Sequence, residues 1–274
     1  MTDRYAVIGN PISQTKSPFI HAAFARQCSQ DMNYAAISAP IGGFSEAVAE
    51  FCREGGKGLN VTIPFKVDAV MIADHLTERA QLAQAVNTLK FDENAVLGDN
   101  TDGIGLVHDI QVRLGISLRH KRILLIGAGG VARGVLLPLL EEGPAQLLVV
   151  NRTLGKAEAL ITRFADRGHL AAGGFADIAD QQFDVLINAT SASFGGECLP
   201  LPADCFAPDS LAYDMAYGRG NTPFMTQALA SGAGFVTDGL GMLVAQAAES
   251  FFLWRGVRPD VLPVIEMLIA AQQR

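Results

Sequence analysis

The chain has 274 residues, 49% hydrophobic and 18% charged, with a net charge of −7. That balance suits one large globular domain or two modest ones, and excludes an intrinsically disordered chain. A pI near 5.2 argues against a nucleic-acid-binding surface but leaves local basic residues free to hold small anions.

In chain order, residues 5–9 (YAVIG) predict a strand, then the loop NPISQTK and a helix from Ser17. Ser17 before Pro18 reads as an N-cap followed by proline at the first helical position. Strands are expected at 33–39 and 57–63, with a helix near 45–54 stopped by Gly55-Gly56. Residues 87–99 read as a hairpin turning at 92–94, and a helix near 103–114 follows. Beyond it, short apolar strands at 122–126, 146–150, 184–188, 211–215 and 234–237 alternate with helices at 130–141, 154–167 and 223–231. Such alternation predicts a parallel sheet covered on both faces. Two last helices, near 239–254 and 260–272, have no strand after them and must dock on structure already built.

The run RILLIGAGGVAR (122–133) carries the G-x-G-x-x-A pattern of a dinucleotide fingerprint between its strand and its helix. Gly127 permits the turn, Gly129 lets backbone approach a pyrophosphate, and Ala132 keeps helix and sheet close. The helix N-terminus offers unpaired N–H groups to the anion. After the next strand, an NAD domain places a carboxylate against the ribose 2′-hydroxyl. Here stand Asn151, Arg152 and Thr153, with Lys156 nearby. Arg152 suits a 2′-phosphate, each charge-assisted bond being worth roughly 1.5–3 kcal/mol, so the expected cofactor is NADP. The plainer reading makes Arg152 a solvated surface residue and Thr153 an N-cap. The expected architecture is α/β with two domains. Residues 1–103 with 239–274 form a discontinuous substrate domain completed by the C-terminal helices, and 104–238 a doubly wound, Rossmann-type domain. A cleft between them is the expected active site.

Polar clusters mark its chemistry. In NVTIPFK (60–66) a strand ends, and Lys66 falls near a helix N-terminus. A helix dipole and burial would disfavour its ammonium form, whereas a neighbouring carboxylate would favour it. AVNT (85–88) and GDNTDG (98–103) flank the hairpin. Asp102 could serve as an N-cap, but two asparagines, two threonines and two aspartates exceed what capping requires. A Lys–Asp pair with neighbouring amides suits a site that moves one proton to or from a hydroxyl. Gln246 sits among apolar neighbours and needs a partner if buried, while Met242, Leu243 and Phe251 read as core.

The cysteines Cys28, Cys52, Cys198 and Cys205 show no C-x-x-C spacing, which reads as scattered thiols of a cytoplasmic, metal-free protein. The start MTDRYAVIG lacks the features of a signal peptide, and no stretch reaches the roughly 18–20 apolar residues of a membrane span.

In order, GNPISQTKSPFIH, GLNVTIPFK, AVNT, GDNTDG, GAGGVAR, NRT, NAT, YDMAY and DGLGMLVAQ closely resemble the shikimate dehydrogenase family over nearly the whole chain. The resemblance implies reversible NADP-dependent reduction of 3-dehydroshikimate to shikimate in aromatic amino-acid biosynthesis, by a monomer or homodimer. It implies that Thr15 and Ser17 hold the substrate carboxylate with help from Tyr217. Asn60, Thr62, Asn87, Asp102 and Gln246 would hold ring hydroxyls, and Lys66 and Asp102 would form the catalytic pair. The cofactor would lie along Gly127, Ala128, Gly129, Gly130, Val131 and Ala132, with Asn151, Arg152, Thr153 and Lys156 at the ribose phosphate and Thr190, Met215, Gly239 and Met242 completing the site. Two departures stand out: Thr15 replaces the family's usual serine, and Ala192-Ser193-Phe194 replaces a small residue and glycine. The rival readings are a quinate/shikimate dehydrogenase using NAD, which Arg152 argues against, and a non-catalytic NADP-binding regulator.

Overall fold

The computed structural model describes residues 2–272. Its first half runs β1 (Asp3–Gly9), α1 (Ser17–Gln27), β2 (Met32–Ser38), α2 (Phe44–Arg53), β3 (Gly56–Val61), β4 (His75–Leu76), α3 (Glu78–Ala83), β5 (Thr88–Phe91), β6 (Val96–Asp99) and α4 (Asp102–His108). There follow β7 (Arg122–Ile126), α5 (Gly130–Glu141), β8 (Gln146–Val150), α6 (Leu154–Ile161), β9 (Leu170–Gly173), β10 (Phe183–Asn188), β11 (Phe206–Asp214), α7 (Pro223–Ala230), β12 (Phe235–Thr237), α8 (Leu240–Arg255) and α9 (Leu262–Gln272). These divide into two units: the chain up to Gly105 together with Leu243–Gln272, and the inserted stretch Leu106–Met242.

The discontinuous unit is built on a mixed six-stranded sheet in the order β2-β1-β3-β5-β6-β4. β1 runs parallel to β2 and β3, and the hairpin β5–β6 adds antiparallel strands, turning where Asp92 N–H donates to the Ala95 carbonyl. Phe44, Val48 and Phe51 of α2 pack on Ala6, Ile8, Leu59 and Leu89 of the sheet. The C-terminal helices dock on this unit. Trp254 of α8 lies so close to β3 that a Cβ on Gly58 would meet its indole nitrogen at 2.4 Å. That nitrogen donates to the Leu89 carbonyl at 3.0 Å, so the buried ring leaves no polar atom unpaired. Gln27 of α1 exchanges hydrogen bonds with the backbone of Asp260, just before α9.

The inserted unit holds an all-parallel sheet ordered β12-β11-β10-β7-β8-β9. This is the doubly wound order of dinucleotide domains, and its strand order reverses between β7 and β10. Ile123, Leu124, Leu125 and Ile126 are wholly inaccessible, as are Val185, Leu186 and Ile187. Such continuous apolar runs are what a strand covered on both faces requires.

Several elements depart from the sequence expectation. The helix expected near 103–114 begins at Asp102 and gives way to a π-helical turn over Asp109–Arg113. There the buried Asp109 carboxylate accepts from Arg113 Nε at 2.5 Å and from the Tyr213 hydroxyl at 2.6 Å, a tertiary demand that periodicity does not record. The helix expected over 154–167 ends at Ile161 and tightens into a 3-10 turn at Thr162–Phe164. Thr162 donates its hydroxyl back to the Glu158 carbonyl there. β4, α3 and β9 were not anticipated, being too short to show a period.

Candidate active site

In the discontinuous unit, strand ends converge on one polar cluster. β3 ends at Val61, and the turn that follows carries Lys66, whose carbonyl accepts from Val86 N–H at 2.7 Å. Asn87 precedes β5, and Asp102 opens α4. Lys66 Nζ stands 2.5 Å from Asp102 Oδ2, with side chains only 16% and 6% exposed. Asn87 donates its amide to Asp102 Oδ1 at 2.8 Å and lies within 2.9 Å of Thr101 Oγ1 and 3.2 Å of Gln246 Oε1. Asp102 is the first residue of α4 rather than its cap, and its N–H donates to the Asn100 side chain at 3.2 Å. The Asp102 carboxylate is thereby left to the lysine and the amide. Gln246 reaches this cluster because α8 lies against Gly105, where a Cβ would stand 2.6 Å from the Gln246 nitrogen.

Asn60 is buried within a second layer. Its Oδ1 accepts the Tyr34 hydroxyl at 2.7 Å, and its Nδ2 donates to Ser250 Oγ, Thr88 Oγ1 and the Asn87 carbonyl. His21 is fully buried and stacks on Tyr34 at 4.1 Å between ring centres. Burial lowers its pKa to about 3, so the ring is neutral. Sequence reasoning singles out Thr88 as part of AVNT (85–88) but misses Tyr34 and Ser250. Only their proximity to quoted motifs could have signalled them.

Ser17 corrects an expectation: Lys16 occupies the cap position of α1, Ser17 is the first helical residue, and no side chain caps the helix. The Ile20 N–H already bonds the Lys16 carbonyl, so the Ser17 hydroxyl is freed from capping and accepts from Thr15 Oγ1 at 3.1 Å. Thr62 is half-buried, with its methyl 2.5 Å from where a Cβ on Gly9 would sit, so β1 can end against it only with glycine there.

In the inserted unit, Gly127 has φ +113°, and a Cβ there would approach the Ala189 carbonyl oxygen and Thr190 Cγ2, each at 3.1 Å. The loops after β7 and β10 therefore meet where the strand order reverses. At Gly129 and Gly130 a Cβ would meet only open space, and no side chain caps α5. Ala132 is fully buried and Ala128 nearly so, while Val131 is half-exposed. An uncapped helix start facing open space, behind a glycine turn, fits a dinucleotide pyrophosphate. At the end of β8, Asn151 donates to the Thr153 carbonyl at 2.9 Å. Thr153 stands at the cap position of α6 without a side-chain cap bond. Arg152 and Lys156 are exposed, and neither side chain forms a hydrogen bond or ion pair with the described residues.

Thr190 is fixed by Asn188, which accepts both its N–H and its hydroxyl. Asn188 donates in turn to the buried Asp214 carboxylate, which also accepts from Ser193 at 2.5 Å, Thr222 at 2.6 Å and the Ala216 N–H. Ser193, part of the departure from the family pattern, thus anchors the loop after β10. Met215 donates its N–H to the Asn188 carbonyl, and a Cβ on Gly239 would lie 2.3 Å from the Met215 oxygen. Met242 is buried in this unit. Tyr217 also belongs to it, and burial together with the charge of Asp238 pushes its phenol pKa up, keeping it protonated. Among the described residues, no helix is long and apolar enough to cross a membrane, and no cluster of His, Cys, Asp and Glu is arranged for a metal.

Comparison with known proteins places this geometry in context. Residues 7–89 match the shikimate dehydrogenase substrate binding domain, 110–194 the shikimate / quinate 5-dehydrogenase domain, and 239–269 the shikimate 5'-dehydrogenase C-terminal domain. The chain is 57% identical over 268 residues to the shikimate dehydrogenase (NADP(+)) of Nitrosospira multiformis, covering 98% of each chain. It is similar in structure to an Ael1 enzyme from Pseudomonas putida, with a TM-score of 0.92 and 49% identity over 97% of this chain and 98% of that one. The shikimate 5-dehydrogenase of Thermus thermophilus, solved with NADP(H) and shikimate, gives a TM-score of 0.86 at 33% identity over 96% of this chain and 97% of its own.

Proposed function

The chain belongs to the shikimate dehydrogenase family, and on that premise we propose which of its residues carry the reaction. The protein is an NADP-dependent oxidoreductase that interconverts 3-dehydroshikimate and shikimate, a step of aromatic amino-acid biosynthesis. Our assignment gives the proton transfer to Lys66 and Asp102. The observation that carries it is the 2.5 Å contact between two shielded, opposite charges, with the second carboxylate oxygen held by Asn87.

In the reductive direction the substrate carbonyl oxygen gains negative character and must take up a proton. Lys66, as ammonium, stabilises that oxygen and donates to it; Asp102 fixes the amine and accepts from the neighbouring hydroxyl. Bound NADPH supplies the hydride. A positioned proton-transfer group of this kind contributes about 10²–10⁴ in rate. Thr15 and Ser17 offer adjacent hydroxyls to the substrate carboxylate, and Tyr217, its phenol protonated, is assigned to the same group. Thr62 and Gln246 present polar groups to the ring hydroxyls. Asn60 and Asn87 act with much of their hydrogen-bonding capacity already committed, shaping the pocket as well as touching its contents.

For the cofactor, Gly127 to Ala132 would hold the pyrophosphate at the start of α5, and Asn151, Arg152, Thr153 and Lys156 the ribose phosphate. Thr190, Met215, Gly239 and Met242 would shape the nicotinamide side. Substrate chemistry is thus assigned chiefly to residues 1–103 with 239–274 and cofactor binding chiefly to 104–238, with Tyr217 given to the substrate and Gly239 and Met242 to the cofactor. A cytoplasmic location and a monomeric or homodimeric state complete the proposal. The free state of all four cysteines is in keeping with the former.

The test crosses shikimate and quinate with NADP and NAD in initial-rate assays. Turnover concentrated on shikimate with NADP supports the shikimate-selective, NADP-dependent reading and, through the cofactor preference, the assignment of Arg152. Comparable rates with quinate or NAD would contradict them.

A further inference from the structure

We propose that Arg79, acting through Asp99, positions the Lys66–Asp102 pair, an inference that rests on that pair being the acid–base machinery. Asp99 ends β6, and its side chain is 1% exposed. Its Oδ1 accepts from Thr77 Oγ1 at 2.6 Å, Arg79 Nε at 2.7 Å and the Asn100 N–H at 2.7 Å. Its Oδ2 accepts from Arg79 Nη2 at 2.5 Å. The two-pronged Arg79 contact fixes the carboxylate in plane as well as in place. A buried ion pair contributes little net stability over an apolar substitute, so its consequence lies in what it orients.

What it orients is the turn into Asp102. The Asn100 N–H is held by Asp99, which sets the Asn100 side chain to donate to the Ala85 carbonyl at 3.0 Å and to accept the Asp102 N–H. The Asp99 carbonyl accepts the Asn87 N–H at 3.0 Å, and Asn87 holds Asp102 Oδ1. Val86, between Ala85 and Asn87, donates to the Lys66 carbonyl. Both members of the pair are therefore tied to residues 85–87, which Asp99 and Asn100 hold from the other side. On its outer side Arg79 lies 3.5 Å from Glu249, which pairs with the exposed Arg258.

The experiment measures kcat, KM for shikimate, NADP affinity and thermal stability for Lys66→Ala, Arg79→Gln, Arg79→Lys, Asp99→Asn, the Arg79→Gln/Asp99→Asn double variant and Arg258→Ala. Arg79→Gln and Asp99→Asn are expected to lower kcat by about 10- to 100-fold, the usual effect of displacing a catalytic group by an ångström. NADP affinity should hold, Arg79→Lys should recover part of the loss, and the double variant should be no worse than the worse single. Arg258→Ala should leave kcat within about threefold, as for a surface charge. A folded Arg79→Gln enzyme with near-normal kcat overturns the proposal, as do additive losses in the double variant. If Arg79→Gln fails to fold, Asp99→Asn decides by the same criterion. A near-normal Lys66→Ala enzyme removes the acid–base reading and this proposal with it; an inactive Lys66→Ala beside a normal Arg79→Gln removes only the positioning role.

Discussion

Asn87 donates to the one carboxylate oxygen of Asp102 that Lys66 leaves free: the amide takes Oδ1 at 2.8 Å and the ammonium Oδ2 at 2.5 Å. The carboxylate is held at both ends, so its orientation toward Lys66 does not depend on substrate. Replacing Asn87 by alanine should lower kcat by about 10- to 100-fold through loss of that orientation. It should also cost about 1–3 kcal/mol of stability, because the buried Thr101 N–H loses its acceptor. Steady-state kinetics and denaturant unfolding of the same preparation check both.

The Arg152 side chain stands exposed and without a partner among the described residues just beyond the end of β8, where the fingerprint requires a ribose discriminator. Arg152→Ala should raise KM for NADP by about tenfold or more while barely changing KM for NAD, since only NADP carries the 2′-phosphate. Equal effects on the two cofactors would contradict the assignment.

His21 makes stability depend on pH. Burial lowers its pKa from 6.5 to about 3 in the folded chain, so below pH 6.5 the unfolded state binds a proton that the folded state refuses. Its contribution is neutral above pH 6.5 and increasingly destabilising as pH falls toward 3, reaching about 2 kcal/mol at pH 5. His21→Phe, which keeps the stacking on Tyr34, should unfold with a shallower acid dependence than the parent protein. Parallel denaturation curves at pH 7 and pH 5 for both proteins test this. An identical pH slope in the two would show that His21 contributes nothing to it.

The strands flanking Gly9 and Gly127, the hairpin at 92–94 and the C-terminal helices were legible because apolar runs, turn residues and helical spacing each left a local signal. The glycine at 127 was legible for the same reason: a strand–glycine–helix junction has one common use, and the left-handed backbone there bears out the need for glycine. Ser17 was misread because Ser-Pro suits both a cap and a first helical residue, and only backbone geometry separates them. The π-helical turn at Asp109 and the Asn188–Asp214–Thr222 network were invisible because their partners lie far apart in sequence. Lys66 and Asp102 could be singled out from their neighbours, but Arg79 could not, since nothing around a lysine- or arginine-bearing helix start foretells a buried aspartate 20 residues on.

The central claim is that Lys66 transfers the proton, and Lys66→Ala tests it most directly when kcat for shikimate oxidation and Kd for NADP are measured on one folded preparation. The account predicts a fall in kcat of about 10²–10⁴ with NADP affinity unchanged. A variant that turns over at near the parent rate would contradict it.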